Sequence, residues 1–160
     1  MAALDLSAAF DTVDHSILLN RLGSRVGISG VALQWVKSYL SGRIHSVKVG
    51  MELSEPVHMD VGVPQGSVLG PLFFLVYVLP IGDIMKRHGI SYHVYADEIQ
   101  LYLHFDPESP AGLFSAIVKL ENCLAELCEW MLRNMLRINP DKTDFIFFAR
   151  SHIKLLIEQL

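Results

Sequence analysis

Three acidic residues in two short segments have the types and the spacing that metal chemistry needs. Asp97 and Glu98 are adjacent at the centre of SYHVYADEIQLYLHF, where apolar and polar residues otherwise alternate, and Asp5 lies in the apolar segment AALDL. Adjacent carboxylates repel each other, so a bound cation would explain their position, and a solvated acidic turn would explain it equally. Carboxylate oxygens suit Mg²⁺ or Mn²⁺, ions that commonly serve phosphoryl transfer.

The alternation around these acids predicts a two-stranded hairpin with Asp97 and Glu98 at its tip. Ala96 then lies opposite Ile99, and the ribbon has one apolar face and one polar or amphipathic face. The Asp-Glu pair departs from the Asn-Gly and Asp-Gly pairs that two-residue hairpin turns favour, because Glu tolerates positive φ poorly. If the strand that contains Asp5 pairs beside this hairpin, all three carboxylates converge at one edge of the sheet.

Two further segments contain residues whose role the sequence leaves open. Asp11 and Asp14 follow Asp5 in LDLSAAFDTVDH, and we expect them to cap the next helix rather than to act in catalysis. The segment VGVPQGSVLGPL offers Gln65 and Gly66 ahead of a helix. Its glycines permit close backbone approach, although a plain strand-to-helix turn is the simpler interpretation.

The elements that must position these residues form a mixed order of strands and helices. Apolar periodicity and turn residues predict a strand over Ala2–Leu6, a helix from Asp14, a helix between Ser29 and Gly42, a hairpin of strands around residues 47–49 and 57–61, a helix over about 69–87, the acid-tipped hairpin, a helix over about 111–136 and a last strand in DFIFFAR. An antiparallel hairpin flanked by helices indicates an α+β fold with the helices packed on one face of the sheet.

Length and composition indicate one folded domain. The chain has 160 residues, 51% hydrophobic and 19% charged, which is enough to bury a sizeable core. Its formal net charge of −4 gives no general basic footprint, so a nucleic-acid contact would need a local patch or other parts of a larger protein.

Cysteine placement and hydropathy predict an intracellular protein. Cys123 and Cys128 lie about 140° apart on a predicted helix, which is wrong for a disulfide, and we interpret them as reduced core thiols. The apolar run over residues 68–81 is interrupted by prolines and is shorter than a membrane span. No signal peptide is evident, so the expected location is intracellular, in the nucleus or the cytoplasm.

Four segments together resemble the successive palm motifs of reverse transcriptases encoded by LINE-type (non-LTR) retrotransposons. They are LDLSAAFDTVDHSILL, GVPQGSVLGPLFFLVYVLP, HVYADEIQLYL and WMLRNMLRINPDKTDFIFF. They occur in the family's order and span residues 4–148, which chance does not explain. The resemblance implies a partial reverse transcriptase (palm) domain over residues 1–150, with a palm-like antiparallel sheet, and a truncated C-terminal tail over residues 151–160.

The resemblance implies roles for the three acids and for one lysine. Asp5 matches the family's first metal-binding aspartate, and Asp97 with Glu98 match its acidic pair. In the family these carboxylates hold two Mg²⁺ ions that activate the primer 3′-hydroxyl and grip the incoming triphosphate. Lys142 matches a lysine placed to approach the leaving pyrophosphate, and an exposed turn lysine is its alternative role. The expected catalytic residues are these four, and the three acids are the expected metal ligands.

Three further residues match positions that contact substrate in the family. Phe10 matches the bulky residue that lies under the sugar and would clash with a 2′-hydroxyl; packing in the core is its simpler role, and the two are compatible. Gln65 and Gly66 match the loop that packs against the nascent base pair and the template. The implied partners are an RNA template, a DNA primer and deoxynucleoside triphosphates, with no membrane partner.

The chain also departs from the family pattern in ways that favour a second function. Glu98 stands where the family normally has aspartate, and the extra methylene can displace a ligand of Mg²⁺, which needs near-ideal octahedral geometry. We expect fingers and thumb to be missing, because the sequence begins almost on the first motif and ends before a recognisable thumb, and we therefore expect weak nucleic-acid binding. The alternative function is a non-catalytic truncated remnant that acts at most as a protein-interaction domain. Another Mg²⁺-dependent phosphoryl-transfer site is a remote third.

Overall fold

The computed structural model describes residues 1–106 and 109–148, and the chain forms two compact units. The first, called the sheet unit, comprises Met1–Ser7, Pro80–Arg133 and the described residues from Arg137 on. The second, called the helical unit, comprises Ala8–Leu79 and Asn134–Leu136. In chain order the elements are β1 (Ala2–Leu6), α1 (His15–Ser24), α2 (Gly30–Leu40), β2 (Ile44–His45), β3 (Lys48–Val49), β4 (Glu52–Leu53), β5 (Val57–His58), α3 (Gly70–Val78), α4 (Ile81–Arg87), β6 (Ser91–Tyr95), β7 (Glu98–Tyr102), α5 (Pro110–Arg133) and β8 (Ile138–Phe145).

The sheet unit is built on a four-stranded antiparallel sheet in the order β6-β7-β1-β8. Strand β1 lies inside this sheet and alternates strictly, with Ala2, Leu4 and Leu6 buried. Leu101 and Ile99 of β7, the partners of Ala2 and Leu4, are buried as well. The predicted α+β fold with an antiparallel sheet is confirmed, and its core lies against one face because side chains alternate across each strand.

Helix α4 packs on this apolar face and contacts both β6 and α5. Its first turn approaches β6 so closely that a methyl group added to Gly82 would overlap the hydroxyl group of Tyr92. Helix α5 buries Cys123, Leu127 and Met131, which are four residues apart and therefore share one side of the helix. The packing of α4 on the apolar face, with α5 against α4, agrees with the predicted α+β fold.

The hairpin β6-β7 has a different register from the predicted one. Val94 lies opposite Ile99 and Tyr95 opposite Glu98, so the two turn residues are Ala96 and Asp97 rather than Asp97 and Glu98. Ala96 takes the positive φ that the turn requires, at +53°. Each residue of β6 has a partner two positions earlier in β7 than predicted. The predicted apolar face is retained because side chains on a strand return to the same face every two residues.

The helical unit contains three helices, of which α1 contacts both α2 and α3. Asp14 caps α1 as predicted: its Oδ1 accepts a hydrogen bond of 2.8 Å from the backbone N–H of Ile17. Ser29 occupies the N-cap position of α2, but its side chain makes no capping hydrogen bond. The glycine after α2, Gly42, has a φ of +67°, which agrees with its predicted role in ending the helix.

Several predicted boundaries were wrong for identifiable reasons. The single helix expected over residues 69–87 is two helices, α3 and α4, because Pro80 cannot donate a backbone hydrogen bond and clashes with the preceding turn. The hairpin expected around residues 47–61 consists of two short antiparallel ladders, β2 with β5 and β3 with β4. The last strand lies at Ile138–Phe145, earlier than predicted, and the end of the predicted segment, residues 149 and 150, lies outside the described residues.

The long helix is confirmed as α5, although it ends at Arg133. Both cysteines are free, but only Cys123 is buried, so the prediction of two core thiols was wrong for Cys128. Burial and the nearby Glu126 carboxylate raise the pKa of the Cys123 thiol. Within residues 1–106 and 109–148 we find no helix with the length and apolar composition of a membrane span. The predicted tail over residues 151–160 lies outside the described residues.

Candidate active site

Asp5 and Glu98 lie directly opposite each other in the antiparallel pair of β1 and β7. Direct cross-strand partners share a face of the sheet, so both carboxylates lie on the face opposite the buried Leu4 and Ile99. The Asp5 side chain is one quarter exposed, at 25%, and Glu98 is exposed. The strand pairing thus brings together two of the acids that the sequence analysis selected, although they are 93 positions apart.

The third acid, Asp97, is the second residue of the turn between β6 and β7 and is half-buried. It immediately precedes Glu98, the first residue of β7. Ala96, and not Glu98, has the left-handed backbone conformation of the turn. Glu98 therefore continues the strand in the sheet. The unfavourable turn chemistry expected for an Asp-Glu tip therefore does not arise.

Strand β8 brings Lys142 to the other side of Asp5. The register between β1 and β8 shifts between Ala3, which pairs with Asp144, and Asp5, which pairs with Asn139. Residues 140–143 therefore bulge from the ladder where β1 has a single residue, and the Asn139 side chain accepts a hydrogen bond of 3.1 Å from the N–H of Asp141. Lys142 Nζ lies 3.5 Å from Asp5 Oδ2, and the lysine side chain is 67% exposed.

The donor chemistry of this edge fits a hard divalent cation, since Asp5, Asp97 and Glu98 offer only carboxylate oxygens. Two of these side chains have other partners: Asp5 contacts Lys142, and Glu98 Oε1 accepts a hydrogen bond of 2.7 Å from Gln100 Nε2. Among the residues that the structure describes, no three His, Cys, Asp or Glu side chains are grouped closely enough to hold a metal ion. The Lys142 ammonium group supplies a positive charge beside Asp5.

The other predicted site residues lie in the helical unit, where two loops pack against each other. The loop at residues 62–66 contacts the loop at 10–13 through backbone hydrogen bonds from Val63 N–H to the Phe10 carbonyl and from Gly62 N–H to the Val13 carbonyl, both of 2.8 Å. Gln65 Nε2 donates a hydrogen bond of 2.9 Å to Asp11 Oδ1. These contacts bring Phe10 and Gln65 into one loop pair.

Phe10 and the Gln65–Gly66 segment differ in their surroundings. The Phe10 ring packs on Phe74 with 4.8 Å between ring centroids and is half-buried, which agrees with its simpler predicted role in packing. Gln65 and Gly66 are exposed. Gly66 has a φ of +75° and open space around it, so its backbone conformation, rather than close approach, requires glycine.

Gly62 is the residue at which close approach occurs. Its φ is +86°, and a Cβ atom at this position would lie 2.9 Å from the carbonyl oxygen of Asp11. His15 Nε2 lies 2.7 Å from the Gly62 carbonyl oxygen, which fixes the loop from the side of α1. The close backbone approach that the sequence indicated for the glycines of this loop therefore occurs at Gly62 and not at Gly66.

Asp11 does not cap α1, in contrast to Asp14, and this part of the prediction was wrong. Its carboxylate accepts the hydrogen bond from Gln65 instead. Capping is a local signal that can be read from neighbouring residues, whereas the Asp11–Gln65 pair joins residues 54 positions apart. Nothing in the spacing of the sequence pointed to this contact.

A buried cationic network in the helical unit was also missed. The Arg21 guanidinium donates to the carbonyl oxygen of Tyr77 and to the side-chain oxygen of Asn134, and it lies 4.6 Å from the centre of the Tyr77 ring. The Tyr77 hydroxyl donates a hydrogen bond of 2.8 Å to the carbonyl of Asn134. Burial lowers the pKa of Arg21 and raises the pKa of Tyr77. The available signal was Arg21 itself, which lies beside Leu18 and Leu22 on the apolar side of α1.

Comparison with known proteins places this arrangement in context. A family model described as reverse transcriptase (RNA-dependent DNA polymerase) matches residues 1–157. The chain is 34% identical, over 88% of its length, to the probable RNA-directed DNA polymerase from transposon BS of Drosophila melanogaster. It is 29% identical over 91% to that from transposon X-element of the same species, and 28% identical over 92% to the RNA-directed DNA polymerase from mobile element jockey of Drosophila funebris. It spans 15%, 16% and 16% of the length of these curated relatives.

Proposed function

The chain belongs to the reverse transcriptase family, as its four motifs predicted, and on this premise we propose that it supplies the palm part of an RNA-directed DNA polymerase. Its kinship with the LINE-type (non-LTR) elements is borne out by the relatives from mobile elements. Reverse transcriptases depend on divalent metal ions and act on nucleic-acid templates. The proposed reaction is two-metal nucleotidyl transfer onto a primer 3′-hydroxyl, with the palm domain over residues 1–150.

The observation that carries the proposal is the pairing of Asp5 with Glu98 beside the turn residue Asp97. We propose that these three carboxylates hold two Mg²⁺ ions, for which Mn²⁺ is the alternative. Bound there, the metal ions would lower the pKa of the primer hydroxyl and neutralise charge on the triphosphate. We propose that rotation of the Asp5, Asp97 and Glu98 side chains groups their oxygens around the metal ions, because Asp5 and Glu98 are strand partners and Asp97 precedes Glu98.

Lys142 is proposed to act in the same reaction. Its ammonium group lies at Asp5 and is two-thirds exposed, so it can exchange that carboxylate for another anion at little cost. A bound triphosphate would offer such an anion, and the lysine would then stabilise the charge that develops on the pyrophosphate leaving group. In the structure the same lysine is paired with Asp5.

Phe10, Gln65 and Gly66 are the proposed substrate contacts. The Phe10 ring is anchored by Phe74 and so has a fixed position, which a residue that excludes a 2′-hydroxyl by bulk requires. Gln65 and Gly66 are exposed and are held by the loop contacts around Gly62, which suits contact with a base pair. The proposed partners are an RNA template, a DNA primer and deoxynucleoside triphosphates.

A second candidate, a non-catalytic protein-interaction domain, is favoured by one specific observation. The described carboxylates form no group of three, and Glu98 carries one more methylene than the aspartate of the family pattern. In this case Asp5 and Lys142 form a surface ion pair with no role in chemistry. The two candidates differ in whether the site binds a divalent cation.

The test combines metal binding with nucleotide addition. Mn²⁺ titrated into the isotope-labelled chain should broaden the backbone NMR signals of Asp5, Asp97 and Glu98 first. At saturating RNA template and DNA primer we expect Mg²⁺-dependent addition of single nucleotides without processive extension, since the chain spans 15–16% of the length of its relatives. Asp5→Ala should abolish both signals, while Asp60→Asn, at an exposed site in the other unit, should change neither.

The outcome decides between the two candidates. Selective broadening with Asp5-dependent addition supports the polymerase. Uniform weak broadening and no addition, or addition that Asp5→Ala leaves intact, would remove these residues from the chemistry and leave the interaction domain as the better account.

A further inference from the structure

Basic residues are concentrated in one part of this otherwise acidic chain. Residues 15–51 contain five Lys or Arg and no Asp or Glu, although the whole chain has 13 basic and 17 acidic residues. The basic residues are Arg21, Arg25, Lys37, Arg43 and Lys48. Arg21 is buried in the Tyr77 network, and the other four are exposed or partly exposed. A local positive field of this kind attracts polyanions even when the net charge of the protein is negative.

A stacked aromatic cluster lies within this basic stretch, at the C-terminal half of α2. Trp35 and Tyr39 are one helical turn apart and stack with 5.6 Å between ring centroids and an interplanar angle of 20°. Arg43 lies four residues after Tyr39, beyond the end of α2, and its guanidinium lies 4.4 Å from the centre of the Tyr39 ring. These three residues are called the α2 stack.

The α2 stack is held in place by a contact with α3 and by a hydrogen bond at the end of α2. Tyr39 contacts Phe73 of α3 edge-on, with 6.0 Å between ring centroids. Arg43 Nε donates a hydrogen bond of 2.7 Å to the carbonyl oxygen of Tyr39, one of the carbonyls at the end of α2 that have no partner within the helix. Trp35 is nevertheless 56% exposed. The cluster is therefore a fixed platform with a large open indole surface.

From these observations we propose that the α2 stack binds single-stranded nucleic acid, with an unpaired base stacking on Trp35. A base stacked on an aromatic ring contributes about 1–3 kcal/mol and needs no particular base, since every base has a π face. Arg43 adds a cation beside the rings, and Lys37 and Lys48 are exposed lysines before and after it in the chain. The proposal rests on the proposed function for its class of partner, but it uses no residue of the Asp5 edge.

Charge selects nucleic acid over a protein as the occupant. Basic side chains attract a strand of phosphates and carboxylates repel it, whereas a protein partner for an exposed tryptophan has no such charge preference. Helix α2 and the segment from it to Arg43 contain no acidic residue, and Asp14 is engaged in capping α1. Glu52 is the acid that strand pairing places beside the basic segment, opposite Val49. A duplex hides its base faces, so unpaired strands should bind better than paired ones.

The test measures binding of the full chain to a fluorescein-labelled 12-nucleotide RNA, to DNA of the same sequence and to the matching duplex. Trp35→Ala should weaken binding of both single strands about tenfold, and Trp35→Phe should restore most of it. The control is Phe114→Ala, which removes a 70% exposed aromatic ring from α5 and should have no effect. Equal effects of Trp35→Ala and Phe114→Ala, or a preference for the duplex, would overturn the proposal.

Salt dependence separates the stacking from the charge. For single strands the slope of log affinity against log salt is about −0.7 per phosphate neutralised. Lys37→Gln with Lys48→Gln should make the slope less steep by about 0.7 to 1.4, while Trp35→Ala should leave it unchanged. The control is Lys86→Gln on α4. A slope that the double variant does not change, or binding that is independent of salt, would indicate a protein-type surface and contradict the proposal.

Asp5→Ala distinguishes this inference from the polymerase proposal. It should leave the affinity for single strands unchanged, because Asp5 lies outside the α2 stack. Binding that depends on Trp35 in a chain that adds no nucleotide would refute the proposed reaction and support the α2 stack. Nucleotide addition with no loss of binding in Trp35→Ala would do the reverse.

Discussion

Asp5 of β1 and Glu98 of β7 are direct partners across an antiparallel pair, and Lys142 lies 3.5 Å from the aspartate on its other side. Like charges directly opposite each other destabilise a sheet, so a nearby cation stabilises two facing carboxylates. The bulge in β8 supplies one from the chain itself. The aspartate that is proposed to bind a metal ion is therefore paired with a lysine, and competition between the lysine and a metal ion can be measured.

Removal of the lysine should strengthen metal binding. In Lys142→Gln the ammonium group no longer competes for Asp5, and we expect the affinity for Mn²⁺ to rise by about 1.5- to 5-fold at low salt, the range that corresponds to an exposed ion pair of about 0.2–1 kcal/mol. Free Mn²⁺ measured by electron paramagnetic resonance gives the affinity. Lys86→Gln removes the same charge far from Asp5 in the sequence and serves as the control; an equal gain in both variants would show a general charge effect only.

Alanine should have different effects at two glycines of the loop at 62–66. Gly62→Ala combines a φ of +86° with a contact of 2.9 Å to the Asp11 carbonyl oxygen, so we expect the free energy of unfolding to fall by roughly 2–4 kcal/mol. Gly66→Ala has a φ of +75° but open space, and should cost only about 1–2 kcal/mol. Urea unfolding followed by circular dichroism compares the two. Equal losses would mean that the Asp11 carbonyl moves aside freely.

Removal of the Tyr77 hydroxyl group from the Arg21 network should lower the free energy of unfolding. Tyr77→Phe leaves the Asn134 carbonyl without the donor that it has at 2.8 Å, and Asp14 N–H loses the acceptor that it has at 3.3 Å. An unmet buried polar group costs about 1–3 kcal/mol, so the free energy of unfolding should fall by that amount. Tyr95→Phe, at a residue that is 74% exposed, should change it very little. A stable Tyr77→Phe variant would indicate that water replaces the hydroxyl.

The contacts between α4 and α5 should depend on pH. Hydrogen bonds from His88, at 2.7 Å, and from Arg87 hold the pKa of Glu126 below its ordinary value of 4.5. Since the carboxyl binds its proton less readily in the folded state, its contribution is present above about pH 4.5 and is lost as the pH falls through the lower folded value.

Glu126→Gln should therefore unfold at a lower urea concentration than the parent chain at pH 7. This difference should shrink as the pH falls below 4.5. Glu121→Gln, an exposed acid on the same helix, is the matched control and should show no such trend. A difference that persists at pH 3 would assign the effect to packing rather than to charge.

Local patterns in the sequence predicted the parts of the fold that depend on neighbouring residues. Strand β1 was predicted with its observed bounds from its alternation, and Asp14 was predicted as a cap from its position before the first helix. The apolar face of the β6-β7 hairpin was predicted although the register was not, because a shift of two residues preserves the face. The motifs also identified the family, since their order along the chain is itself a property of the sequence.

The arrangement of the site was decided by tertiary structure. The partner of Asp5 is set by strand pairing between distant segments. Glu98 is available as that partner because the turn residues are Ala96 and Asp97, so that Glu98 belongs to the strand. The approach of Lys142 to Asp5 depends on the bulge in β8, and no local sequence pattern predicted this bulge.

The contacts of Gln65 with Asp11 and of Tyr39 with Phe73 likewise join residues far apart in the chain. Sequence alone therefore determined which chemical groups are present and which face of each element they occupy. Only packing determined which of them meet, because a long-range contact forms when whole elements dock and not when a local pattern favours it.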